Sequence, residues 1–300
     1  MPRLISLISL ALIALLAALY ASGADRALTQ WALSGQRAAQ DAMAGGLRAL
    51  RAGEGAALAG FLLVCFSYGF FHAAGPGHGK LLIGGYGAAR AVGAWRLSSV
   101  ALIASLAQGL SAVALVGAGV WIWQLGRAQM TDLADRLLAP LSFGAIALIG
   151  LWLVWRGLVR LRAAVHHHHH HHDHHQGSDC ATCGHAHLPD PADIAAATGW
   201  RDMALLIGAI AIRPCTGALF ILILTAQMGI FAIGVAGTLA MALGTAALTI
   251  AVALGAVMMR RGVLAGLVDS PALARIQPMI EIAVGVLVAI IAGRIALAAL

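Results

Sequence analysis

The sequence predicts an all-α polytopic membrane protein. Its core is six helices arranged as two inverted three-helix repeats with broken helices, preceded by an N-terminal signal anchor or signal peptide. Three observations carry that expectation. The first is composition: of 300 residues, 61% are hydrophobic and 10% charged, with a mean hydropathy of +0.88, where a soluble domain carries roughly 25% charged residues. The second is a series of apolar runs, each near the roughly 20 residues that cross a bilayer. The third is a pair of proline breaks, each interrupting such a run and each opening a group of three spans.

The net charge of +7 does not indicate nucleic acid. The basic residues flank apolar segments and form no aromatic-interleaved patch, so they read as topology signals. Four cysteines are too few for a disulfide framework.

The chain opens with Arg3 and an apolar run from Leu4 to Tyr20. Residues 1–24 are either a first transmembrane helix or a signal peptide ending at the small residues Ser22-Gly23-Ala24. Residues 25–56 carry Arg26, Arg37, Arg48 and Arg51 with Asp25, Asp41 and Glu54, too polar to span, and read as a periplasmic or interfacial helical segment. The first three-helix repeat covers 57–161, a His-rich loop 162–202, and the second repeat 203–300. The expected spans are 57–74 (broken), 98–124, 140–161, 203–228 (broken), 230–258 and 279–299. Trp95, Trp121, Trp123, Trp152 and Trp155 lie near span ends, where interfacial anchors belong. Alternate connections hold eleven and six Lys or Arg. The richer side is expected to be cytoplasmic, which puts 22–56 and the C-terminus outside and the 162–202 loop inside.

The breaks align with each other. Pro76-Gly77-His78-Gly79-Lys80-Leu81-Leu82-Ile83 matches Pro214-Cys215-Thr216-Gly217-Ala218-Leu219-Phe220-Ile221 at four of eight positions. An odd number of spans per unit inverts one unit relative to the other, and paired broken helices in inverted repeats place a substrate site between them near the midplane.

The first break, Gly75-Pro76-Gly77, lies between His72 and His78, with Lys80 beyond. On a continuous helix two residues six apart face about 240° away from each other. The break lets the chain fold back and brings the imidazoles within reach of one ion. Neutral imidazole suits nickel, cobalt, copper and zinc. A lone histidine here would be read as capping a free carbonyl; two flanking a break inside a span are read as a site. At the second break, Arg213 is expected to brace freed carbonyls or a carboxylate. Cys215 is either a soft ligand or a small apolar filler. Thr216 and Thr245 either supply oxygens or join helices, and Cys65 reads as packing.

The loop holds a second set of candidate ligands: His166, His167, His168, His169, His170, His171, His172, His174, His175, Cys180, Cys183, His185 and His187. Imidazole and thiolate select transition metals over magnesium or calcium. The run is internal, interrupted by Asp173 and followed by a Cys-x-x-Cys, which sets it apart from a purification tag. His185 and His187 sit closer than a zinc knuckle requires, so the loop reads as a metal collector or sensor.

These features together resemble the NicO family of nickel/cobalt transporters. The matching stretches are His72-Ala-Ala-Gly-Pro-Gly-His78-Gly-Lys80, Arg213-Pro214-Cys215-Thr216-Gly217-Ala218-Leu219 and Met241-Ala-Leu-Gly244-Thr245-Ala-Ala-Leu-Thr249, with the His-rich loop between the halves. The resemblance covers about residues 57–300. It implies efflux of Ni2+ or Co2+ as substrate, no permanently bound cofactor, no enzymatic activity, a multi-pass inner-membrane location and an ion gradient as the energy source. No Gly-x-x-x-x-Gly-Lys-Ser/Thr phosphate loop is present, in keeping with the last point. The expected partners are divalent transition-metal ions and the lipid bilayer, with zinc as an alternative cargo. Two competing classes are a membrane thiol–disulfide electron carrier and a sensor that does not transport. The carrier needs paired cysteines beside prolines, but Gly77 stands where a partner for Cys215 belongs. The sensor needs a soluble output domain, which these residues do not provide.

Deletion of 166–187 is expected to lower apparent metal affinity and spare transport, measured as nickel flux into vesicles against metal concentration. Complete loss of flux would make the loop part of the pathway.

Overall fold

The computed structural model describes residues 22–75, 78–90, 92–122, 126–166, 200–265 and 273–298. Residues 1–21, Pro76, Gly77 and the loop histidines and cysteines His167–His172, His174, His175, Cys180, Cys183, His185 and His187 lie outside the described part. In chain order the helices are α1 (Ala24–Arg51), α2 (Ala57–Ala74), α3 (His78–Ala89), α4 (Ala94–Trp121) and α5 (Arg127–Leu133). A π-helical turn (Ala134–Leu138) follows, then α6 (Ala139–His166), α7 (Trp200–Ala211), α8 (Thr216–Gln227), α9 (Phe231–Ala265) and α10 (Leu273–Ala298). Every regular element among the described residues is helical.

Among the described residues, five stretches are long and apolar enough to cross a membrane: Ala57–Ala74, Ala94–Trp121, Ala128–Arg162, Phe231–Arg261 and Pro278–Ala298. A sixth arises when Met203–Ala211 and Thr216–Gln227, which meet at 55°, count as one bent span. Their outward faces are apolar, with Leu63, Leu110, Leu148 and Ile290 all exposed. A helix that is apolar all round fits a bilayer or a large core, and outward leucines at these positions fit lipid.

The core is built by helix pairs that cross the middle of the sequence. α2 packs on α9, α4 on α9, and α6 on α10. Between lipid-soluble helices the hydrophobic effect gives little net attraction, so close backbone approach through small residues takes its place. A Cβ on Gly69 would fall on the Met241 carbonyl oxygen, and one on Gly244 on the Phe66 carbonyl oxygen. The Thr245 hydroxyl donates to the Gly69 carbonyl at 3.1 Å across the same crossing. At the second crossing a Cβ on Gly150 would lie 2.6 Å from the Ala289 nitrogen.

α2 and α3 follow α9 one after the other in the same direction. Phe61 and Cys65 lie against Gly237, Gly69 against Met241, Gly84 against Val252, and Gly87 against Ala256 and Val257. That path covers about 20 residues of α9, roughly 30 Å of rise, the thickness of a hydrocarbon core. The Gly75 break falls near its middle.

The polar segment is helical, as expected. α1 packs lengthwise and antiparallel against α2, with Gly35 against Phe71 and Gly46 against Phe61. Its buried residues Ala32, Ala39, Met43 and Leu47 make a helical-period stripe that fits the surface of α2.

Gly69→Leu or Gly244→Leu is expected to destabilise the fold by about 3 kcal/mol or more, because the overlapped atoms are backbone. Thermal unfolding in detergent should show it, while Gly60→Leu, where a Cβ meets nothing within 4 Å, should unfold like the parent.

Candidate metal transport site

α2 stops because Pro76 follows Gly75. A residue before proline is driven out of the α region, and Gly75 is extended at φ −63°, ψ −179°. Pro214 acts in the same way in the second half. α7 ends at Ala211, and Cys215 caps α8 from an extended conformation at φ −71°, ψ 131°.

The two helix ends meet. His72, in the last turn of α2, stacks on Tyr68 one turn earlier, centroids 5.9 Å apart and rings 8° from parallel. The His72 imidazole and the Cys215 thiol lie close enough to interact electrostatically. The Tyr68 hydroxyl reaches Cys215 and Thr216 and accepts a hydrogen bond from Gln36 Nε2 on α1 at 3.2 Å. α8 can come this close because residue 217 is glycine: a Cβ there would overlap the Tyr68 ring. Two predicted ligands, His72 and Cys215, are thus brought together, one from each half of the chain. His78 opens α3, and its side chain lies outside the described part, as does that of His166 at the end of α6. Among the described residues no three His, Cys, Asp or Glu side chains gather around one point.

Carbonyls near the second break are met by side chains from other helices. Gln108 Nε2 donates to the Arg213 carbonyl at 3.1 Å. The Ser142 hydroxyl donates to the Ala209 carbonyl at 2.6 Å. This is the condition on which non-helical backbone survives at membrane depth. The bracing falls to Gln108 and Ser142, and the Arg213 guanidinium lies over the Phe143 ring, 4.9 Å from its centroid. Cys65 is buried and unpaired in a disulfide sense, packed as expected. Thr245 joins helices as described above.

A family model described as "NicO: High-affinity nickel-transport protein" matches residues 58–167 and 161–300. The chain belongs to the NicO family. It is 28% identical over 197 residues to a protein of Haemophilus influenzae (strain ATCC 51907 / DSM 11121 / KW20 / Rd) named "Putative nickel/cobalt efflux system". That match covers 61% of this chain and 61% of the relative's length. No solved structure matches. The chain spans about three fifths of that relative's length, and NicO membership together with its apolar helices makes it a multi-pass membrane protein.

This NicO chain holds a second polar centre that the sequence reading passed over. Glu281 on α10 is completely buried, the one buried carboxylate among the described residues. Arg160 Nη1 lies 3.2 Å from its Oε2, and Arg156 Nε and Arg90 Nη1 lie 3.5 and 3.8 Å from its Oε1. The guanidiniums of Arg90 and Arg156 also face the Trp152 ring at 5.7 and 5.3 Å. Three residues counted as topology signals, with a tryptophan near a span end, thus gather in a knot around one buried carboxylate. The signal in the sequence was Glu281 itself, the single acid within an otherwise apolar run. The knot ties α10 to α6 and to the far end of α3, a helix about 18 Å long that begins at the first break.

Glu281→Gln is expected to destabilise the protein by about 3–5 kcal/mol, since it leaves three guanidiniums without their counter-charge. The measurement is the detergent melting temperature. Arg160→Gln, removing the most exposed partner, should cost far less.

Proposed function

We propose that this protein moves nickel and cobalt ions out of the cell, through a site at the meeting of its two broken helices. The observation that carries the reading is the His72–Cys215 pair. Each family-matched segment supplies one side chain, and the two are a borderline and a soft donor suited to late divalent transition metals. His78, three residues beyond Gly75, is the third donor we assign. The site lies near the middle of the path that α2 and α3 trace along α9, where a transporter of broken helices binds its cargo.

α2–α3 with α4 and α6 form one three-span unit, and α7–α8 with α9 and α10 the other, inverted. Their cross-packing, α4 on α9 and α6 on α10, supports this. Outward direction rests on the name of the Haemophilus relative. An ion gradient drives the step, as the resemblance to the NicO family implies. The loop histidines, His166–His172, His174, His175, His185 and His187 with Cys180 and Cys183, collect metal on the cytoplasmic side.

Losing even an outer-shell partner of a metal ligand costs roughly 10–100-fold in affinity. His72→Ala and Cys215→Ala are therefore each expected to lower nickel and cobalt flux at limiting metal by at least about tenfold. The assay is proteoliposomes, run with and without a pH gradient, on protein that elutes as a single species. Full flux in the double variant would defeat the site.

A further inference from the structure

The knot around Glu281 carries more positive charge than its carboxylate cancels. Arg156 and Arg160 alone outnumber that carboxylate, and Arg90 draws on it as well. Among the described side chains, Arg156 and Arg160 meet no acid besides Glu281. The pairing is also loose. Arg160 is within hydrogen-bond reach at 3.2 Å, but Arg156 Nε stands at 3.5 Å, beyond the roughly 2.7–2.9 Å of a charged hydrogen bond. No hydrogen bond to a described residue holds the Arg156 guanidinium, which rests on the Trp152 ring, 5.3 Å from its centroid.

These two arginines open outward. Their side chains are 17% and 37% exposed, while that of Glu281 is 0% exposed. Glu281 therefore fixes them from the protein side, and anything arriving from outside meets N–H groups first. The surroundings are apolar: one step round α6, Trp155 and Val159 are exposed, as is Met279 on α10. Just behind, α6 and α10 touch at backbone distance, with Gly157 against Pro278 and Ile282. Arg156 and Arg160 stand near the end of the Ala128–Arg162 span, and Glu281 near the start of Pro278–Ala298. That is headgroup level.

We propose that Arg156 and Arg160 bind the phosphate of an anionic phospholipid at the seam of α6 and α10, its acyl chains lying along Trp155, Val159 and Met279. A planar guanidinium fork matches phosphate oxygens two at a time, and two forks one helical turn apart embrace one phosphate. The excess charge repels cations and calls for an anion. The apolar rim and the place at a span end select a lipid over a free ion, since basic residues set between membrane helices hold acidic headgroups. The lipid braces α6 against α10 and, through Glu281 and Arg90, steadies the far end of α3. None of this depends on the reading of His72 and Cys215.

The test follows thermal unfolding of the full chain in a neutral, delipidated detergent, with phosphatidylglycerol, phosphatidylcholine or inorganic phosphate added. Phosphatidylglycerol is expected to raise the melting temperature by about 3 °C or more, by mass action on the folded state. The other two should have little effect. Arg156→Gln and Arg160→Gln should each remove most of the rise. Arg162→Gln, an equal loss of charge at an exposed position on the same helix end, should keep it. An equal rise with phosphatidylcholine, or the same loss in all three variants, would overturn the site. An equal rise with inorganic phosphate would overturn the lipid as its occupant. Native mass spectrometry of the parent needs no variant: retention of phosphatidylglycerol over phosphatidylcholine supports the site, and equal retention overturns it.

Discussion

Inside a bilayer a backbone carbonyl or N–H that leaves its helix must find another partner, because no water is there to take its place. Both breaks in this chain create that demand, and much of the interior answers it. Gln108 and Ser142 reach across from α4 and α6 to the carbonyls of Arg213 and Ala209. Gly69 and Gly244 let α2 and α9 approach to backbone contact just above the first break. The breaks in turn make the site, since only an interrupted helix can present His72 from one end and Cys215 from another.

The same demand sorts the molecule into fixed and adjustable parts. α9 is a continuous column of 35 residues, with α2 and α3 laid along it. The far end of α3 is held by Arg90 in the knot around Glu281. A buried ion cluster is costly to assemble and costlier to split, so it holds one arrangement of α3, α6 and α10. At the break, by contrast, the contacts are single hydrogen bonds and a stacked ring pair, each worth about 1 kcal/mol. Motion of the helix ends that carry His72 and Cys215 is cheapest there.

Tyr68 links these parts. It is nearly completely buried, stacks on His72, lies beside Cys215, and is held by a glutamine from α1. The glycine at 217 is what lets α8 rest on its ring. A polar N-terminal helix, a tyrosine and a helix N-terminus thus converge on one point, though they lie far apart in the chain.

Periodicity and composition were enough to read the all-helical membrane class and the two breaks. Those properties are local: a run of leucines or a proline inside it acts on its own neighbourhood whatever surrounds it. The role of α1, the stitches from Gln108 and Ser142, and the Arg90–Arg156–Arg160–Glu281 knot were not legible. A glutamine or arginine carries the same sequence signal whether it faces water, snorkels to a headgroup or meets a partner 121 residues away. Only the packing of α6 on α10, and of α1 on α2, decided which, because a long polar side chain takes its meaning from what lies across the helix interface.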